Sequence, residues 1–403
     1  MSSNFIKKSD KEYWSTIIAL FFGSFVTFAL LYCYQPLIPI FSSEFSISPA
    51  TASLSISTAT ASLAVAMLVT PSLSDKFGRK TIMSISLIGS TILTGIIAFT
   101  DNFTIILPLR ILQGIFLAGY PAIAMTYIQE EFQPAITGIV MGIFVSGNSV
   151  GGLLGRIIIS TMADFFSWHT AIAALSLLSL LISIWFFKNL PASRNFTKRS
   201  LEIHDIMHQF SVNLKVGNLL CIYIIGFLIM GSFVALYNYV EYPLINPPYS
   251  LSQTIVGFIF VIYLVGTFSS TLMGRLANNK GAFKMLDVSL CFMLAGVLTT
   301  LFMPLWLKVF GIALFTFGFF GSHSIASSLV VKLSPTGKAQ SSALYLLFYY
   351  IGSSIIGALG GKFLIWHGWV GVVMLLSVVI ILALLLSNVL FWKKYLALHK
   401  VHA

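Results

Sequence analysis

Pro71-Ser72-Leu73-Ser74-Asp75-Lys76-Phe77-Gly78-Arg79-Lys80 is a short charged segment between two long apolar runs. A related segment, Gly274-Arg275-Leu276-Ala277-Asn278-Asn279-Lys280-Gly281, follows at an offset of 203 residues, with Leu73 matching Leu276 and Gly78 matching Gly281. In a chain of 403 residues this is half the length, so the sequence reads as a duplicated half. Hydrophobic residues make up 57% of the chain and charged residues only 9%. A soluble surface needs roughly a quarter of its residues charged. The long apolar runs match the span of about 20 residues that a bilayer core requires. In lipid each N–H and C=O must be satisfied within its own segment, so the spans are expected to be helices.

Working outward from that loop, six spans precede a polar stretch: roughly 14–41, 50–74, 81–99, 103–127, 136–163 and 170–187. Tyr32-Cys33-Tyr34-Gln35-Pro36 loosens the outer end of the first, because proline cannot continue the backbone ladder. Six more follow at 217–245, 251–277, 283–302, 306–331, 339–365 and 369–392. The expectation is an all-α polytopic membrane protein with twelve transmembrane helices in two pseudo-symmetric six-helix bundles, 1–188 and 217–403. The basic stretch 189–216 is the linker, and Leu201–Phe210 within it reads as a surface amphipathic helix.

Twelve spans put both termini on one side. Apart from Lys308, Arg110, Arg156 and Lys362, the Lys and Arg, 19 of 23, then fall on the side of the termini. Loop cations collect in the cytoplasm, so both termini are expected there, in a cell membrane. The net charge of +11 is thereby a topology signal rather than a sign of nucleic-acid binding. The compact chain without long tails reads as bacterial. Cys33, Cys221 and Cys291 all lie in apolar runs, so no disulfide, metal site or cofactor is expected.

A second repeat strengthens the duplication. Gly147-Asn148-Ser149-Val150-Gly151-Gly152-Leu153-Leu154-Gly155 in the fifth span is echoed by Gly352-Ser353-Ser354-Ile355-Ile356-Gly357-Ala358-Leu359-Gly360 in the eleventh. Two repeated halves with a substrate site between them near mid-membrane are the mark of alternating-access transporters.

On these residues the chain resembles a major facilitator superfamily transporter, of the twelve-helix drug:proton antiporter type. The family's loop pattern G-x-L-A-D-R-x-G-R-K is matched at Leu73, Asp75, Gly78, Arg79 and Lys80, with Lys76 for arginine and Pro71 for the leading glycine. The pattern R-x-x-Q-G is matched at Arg110, Gln113 and Gly114. The antiporter signature G-P-x-x-G-G is matched at Gly147, Gly151 and Gly152, with Asn148 in place of proline. The resemblance implies the MFS fold, no cofactor and a monomer.

The residues divide into three groups. Asp75, Gly78, Arg79 and Lys80, with Glu130 or Glu131 as the partner of Arg79, are expected to form a conformational latch. The alternative is that they only set topology. Arg110, Gln113, Asn148, Arg156, His323, Tyr34, Gln35, Asn238, Tyr345 and Tyr349 are candidates for substrate or proton coupling. Arg110 lies deep in the fourth span, where an unpaired cation is costly, and the first span has no Asp or Glu to receive it. It is expected to face a cavity or act as a structural anchor. His323 suits a proton relay by its near-neutral titration, or is a hydrogen-bonded packing residue. Gly147, Gly151, Gly152, Gly155, Gly352 and Gly357 are read as a smooth face between the halves, or as tight helix packing.

The functional reading is proton-coupled efflux (antiport) of small organic molecules. The alternatives are an uptake symporter or facilitator for a small anionic metabolite, and a non-transporting receptor or scaffold. An enzyme is not expected: intramembrane candidates for convergent carboxylates, a Ser–His pair or metal ligands are too few and scattered, and there is no GxxxxGK[ST] loop.

Overall fold

The computed structural model describes residues 5–196, 203–335 and 337–399. The expected linker cations Lys198 and Arg199, and Lys400 near the C-terminus, lie outside the described residues. Helices make up almost everything described, and the one β-type pairing is an isolated bridge between Ile6 and Phe132.

The first apolar run forms α1 (Glu12–Tyr32), breaks at the expected Cys33–Pro36 stretch, and resumes as a 3-10 turn and α2 (Ile38–Glu44). The second span is α3 (Pro49–Ala52), α4 (Leu54–Ala66) and α5 (Thr70–Phe77), bent by 56° between Ala66 and Thr70. Then come α6 (Arg79–Ile97), α7 (Phe103–Leu117), α8 (Pro121–Glu131), α9 (Pro134–Phe165) and α10 (Trp168–Asn189). Short polar side chains start these helices: Asn102 accepts from the Thr104 N–H at 2.8 Å and Ser167 from that of Thr170 at 3.2 Å.

The linker helix is α11 (Ile203–Lys215). After it come α12 (Gly217–Tyr239), α13 (Glu241–Ile245), α14 (Gln253–Gly257), a 3-10 turn at Phe258–Ile262, α15 (Tyr263–Lys280), α16 (Ala282–Thr299), α17 (Leu305–Leu333) and α18 (Lys338–His399).

Among the described residues, ten helical runs are long and apolar enough to cross a bilayer, or eleven if the bent second span counts. With the bent second span counted, the remaining difference from the expected twelve sits in one run, Gln340–Leu390, of 51 residues. As one straight helix it would reach about 75 Å, more than twice a core of about 30 Å. Its backbone leaves helical geometry at His367 and Gly368, where Gly368 takes φ +57°. That break falls between the two ranges the sequence assigns to its last spans.

The chain divides into two compact units. The first comprises Met1–Ser46, Leu54–Leu201 and Ser252–Phe260; the second comprises Ile47–Ser53, Glu202–Leu251 and Val261–Ala403. Within the first, the later segment is tied down by Asp164, whose carboxylate accepts from the Thr254 hydroxyl at 2.6 Å, and by Ser160, which donates to the Gln253 carbonyl. Within the second, α3 lies against α18, with the Ala50 backbone seated on Gly361.

Candidate functional site

The charged loop folds as its glycine dictates. Gly78 ends α5 with φ +95°, a conformation that a side chain would strain. Gly281, its repeat partner, takes φ +99° at the end of α15. The reversal at Gly78 lets Arg79 turn back on Asp75, with 2.6 Å between Nη1 and Oδ1. The same guanidinium forks onto Glu130, donating from Nε at 3.1 Å and Nη2 at 2.9 Å, and reaches the Ser74 hydroxyl at 3.0 Å. Planar bidentate pairing is what arginine does and lysine cannot. Phe196 lies over Arg79 at 5.3 Å.

Glu131 stands apart from this cluster. Fully buried, it accepts the backbone N–H groups of Arg194 at 2.9 Å and Asn195 at 3.0 Å, and so holds the start of the linker. Of the two glutamates the sequence offered as partners of Arg79, the one engaged is Glu130. Lys80 is also apart, with its ammonium over the Phe187 ring at 5.3 Å.

Arg110 is 0% exposed, so it meets no cavity, and the acid missing from the first span is replaced by backbone. Nε donates to the Ser55 carbonyl at 2.5 Å, Nη1 to Leu30 at 3.2 Å and Nη2 to Leu31 at 2.9 Å. Nη1 also donates to Gln113 Oε1, and the guanidinium lies 4.1 Å from the centre of the Tyr34 ring. Gln113 passes the network on to the Thr94 hydroxyl at 2.6 Å. The break after Tyr32 explains the site. The last carbonyls of a helix have no partner within it, and Leu30 and Leu31 belong to the final turn of α1. The proline signal at Pro36 pointed to this break. No sequence signal pointed to the carbonyls as ligands, because every residue carries one.

Arg156 is 2% exposed and donates to Gln35 Oε1 at 2.8 Å and to the Gly152 carbonyl at 2.6 Å. It is sandwiched between the rings of Tyr32 at 4.6 Å and Phe260 at 4.9 Å. Sequence reasoning missed Phe260, which reaches this site from far along the chain. Asn148 is half-buried, and its Oδ1 has no hydrogen-bond partner among the described residues.

The glycine face read as lying between the halves is engaged inside each unit. A Cβ on Gly147 would strike Ser24 at 2.8 Å, on Gly151 the Phe25 backbone at 2.5 Å, and on Gly155 the Ala29 Cα at 2.7 Å, so α9 needs glycine to lie flush on α1. Gly152 instead offers its carbonyl to Arg156. In the second unit Gly352 meets the Phe227 backbone in the same way, with a Cβ 2.7 Å from its Cα, and Gly357 faces Val234 at 3.0 Å. Close packing of small residues accounts for these positions.

The second unit has a different interior. His323, half-buried in α17, shares a hydrogen bond between Nδ1 and the Tyr345 hydroxyl at 2.9 Å. Its ring lies 4.7 Å from Tyr349, 5.7 Å from Tyr345 and 6.1 Å from Phe319. Phe319 is itself stacked on Phe233 at 3.8 Å. A Cβ on Gly226 would come within 2.5 Å of the Tyr345 ring, so that glycine makes room for it. Asn238 is buried in α12. The candidate residues thus gather into three groups: Arg110 with Gln113 and Tyr34, Arg156 with Gln35, and His323 with Tyr345 and Tyr349.

The sequence profile of the Major Facilitator Superfamily matches residues 20–357. The chain belongs to that superfamily. It is 44% identical over 388 residues to the uncharacterized MFS-type transporter YybF of Bacillus subtilis (strain 168), covering 96% of each chain. It is 41% identical over 388 residues to the inner membrane transport protein YnfM of Escherichia coli (strain K12), covering 96% of this chain and 93% of YnfM. Among solved structures, the bacterial homologue of the human lysosomal transporter Spinster, inward-facing and unoccupied, aligns with a TM-score of 0.78 at 15% identity, over 96% of this chain and 98% of that one. At that identity the likeness is one of fold. The protein is therefore an all-α, multi-pass membrane protein of the MFS fold, from a family of transporters.

Proposed function

We propose that the protein is a secondary active transporter that exports small organic molecules in exchange for protons by alternating access. In this reading twelve spans form two bundles, 1–188 and 217–403, the 51-residue run supplies two of them, and both termini are cytoplasmic. The protein works as a monomer, with protons as the coupling ion.

The observation that carries the reading is the His323 cluster. A half-buried imidazole bonded to the Tyr345 hydroxyl and walled by Tyr349 and Phe319 combines an acid–base group with ring faces that suit apolar or aromatic molecules. Arg110, with its donors on carbonyls, is proposed as an anchor rather than a substrate contact. Arg156, Gln35 and Asn148 are proposed to contribute polar contacts. Asp75, Gly78 and Arg79, with Glu130, are proposed as the latch, from which Lys80 stands apart.

Proteoliposomes loaded with a fluorescent aromatic dye test the reading. A pH gradient, acid on the side opposite the dye, should drive the dye toward the acid side. Dye moving with the protons would mean symport, and movement indifferent to the gradient would mean a facilitator.

A further inference from the structure

Beside the latch loop, one face of α6 is left open. Ile85 and Ile92 are 50% and 51% exposed, and with Phe116 of α7 and Phe187 of α10 they line a groove of about 410 Å³. Gly89 sets its depth, because a Cβ there would lie 2.5 Å from the Phe116 ring that forms the floor. The lining is almost wholly apolar except at one end, where Lys80 stands.

Lys80 differs from its neighbour. Arg79 is committed to Asp75 and Glu130, whereas Lys80 forms no ion pair among the described residues and rests against Phe187. Lys76 and Lys188, both exposed, flank this mouth in sequence. The slot has the length of one leaflet. From Lys80 to Ile92 the helix rises about 18 Å, against about 15 Å for half of a bilayer core. A single acyl chain with an anionic head fits an apolar slot of that length with a free cation at its mouth.

We propose that this groove binds one anionic phospholipid from the leaflet on the Lys80 side, with an acyl chain along Ile85, Ile88 and Ile92 and the phosphodiester on Lys80. A lysine close to a membrane surface favours anionic lipid by about fivefold, and Lys76 and Lys188 add to that preference.

Native mass spectrometry of the full chain, delipidated in detergent and titrated with phosphatidylglycerol or phosphatidylcholine, reads this directly. The first phosphatidylglycerol should bind about fivefold or more tightly than phosphatidylcholine. Lys80→Gln should lower that preference about fivefold, and Ile88→Trp, which fills the slot with Lys80 intact, should weaken both lipids. Glycerol 3-phosphate, a head without a chain, should not displace the bound lipid. Equal binding of the two lipids, an unchanged preference in Lys80→Gln, full retention in Ile88→Trp, or displacement by glycerol 3-phosphate would each overturn the proposal. If Lys80→Gln does not fold, Ile88→Trp alone decides. None of these results depends on the direction or coupling of transport.

Discussion

Arg110 in α7 and His323 in α17 are polar groups within the spans of their respective units, and their surroundings are opposites. Arg110 is fully buried, and its donors go to carbonyls of α1 and α4 and to Gln113. His323 is half-buried, has one hydroxyl partner, and is otherwise bordered by ring faces. A guanidinium locked on backbone has a single low-energy arrangement and acts as a rivet. An imidazole with a single hydroxyl partner among ring faces is held by far fewer polar contacts. Repeated halves thus share their glycine packing and their loop turn, as Gly78 and Gly281 show, while the chemistry has diverged.

That contrast is broken most severely at Arg110. Arg110→Ala removes the guanidinium hydrogen bonds to the carbonyls of Ser55, Leu30 and Leu31, and a hydrogen bond to a charged group is worth about 1.5–3 kcal/mol. The detergent-solubilised variant should lose folded yield and melt well below the wild type, and Arg110→Lys should rescue little, since an ammonium lacks the planar fork. Normal melting with lost transport would instead make Arg110 a substrate contact. Next in size is Gly151→Val, where the added atoms meet the Phe25 backbone; overpacking costs about 1–3 kcal/mol or more. A thermal-shift assay should show the loss, and an unshifted melt would mean that α9 does not press on α1 as described.

The effects at His323 belong to transport rather than stability. His323→Gln should fold and melt like the wild type, because glutamine keeps a polar partner for Tyr345. Tyr345→Phe should be milder still: one hydrogen bond is worth about 0.5–1.5 kcal/mol, so transport should fall by less than about tenfold. A larger fall would give the tyrosine hydroxyl its own role in moving the proton.

Much of this was legible in the chain. The offset of 203 residues paired Gly78 with Gly281, and both prove to turn with positive φ. Pro36 foretold the break after α1. The choice between Glu130 and Glu131 was not legible, because adjacent residues on a helix point about 100° apart and only the packing of α8 decides which faces Arg79. The partners of Arg110 were hidden because they are carbonyls, and the Phe260 contact to Arg156 was hidden because 104 residues separate the two in the chain. The glycine run read as a junction between halves because close packing looks the same in sequence wherever it occurs. Among the described residues the twelve expected spans appear as eleven helical runs, the bent second span included, because the last two run on through Gly368.

Dye movement in proteoliposomes, measured for His323→Gln both under a pH gradient and as gradient-free exchange, bears most directly on the division of labour between the two units. Exchange at near wild-type rates with no response to the gradient is the predicted result. Gradient-driven transport that survives the substitution intact would contradict it and return the proton to another residue.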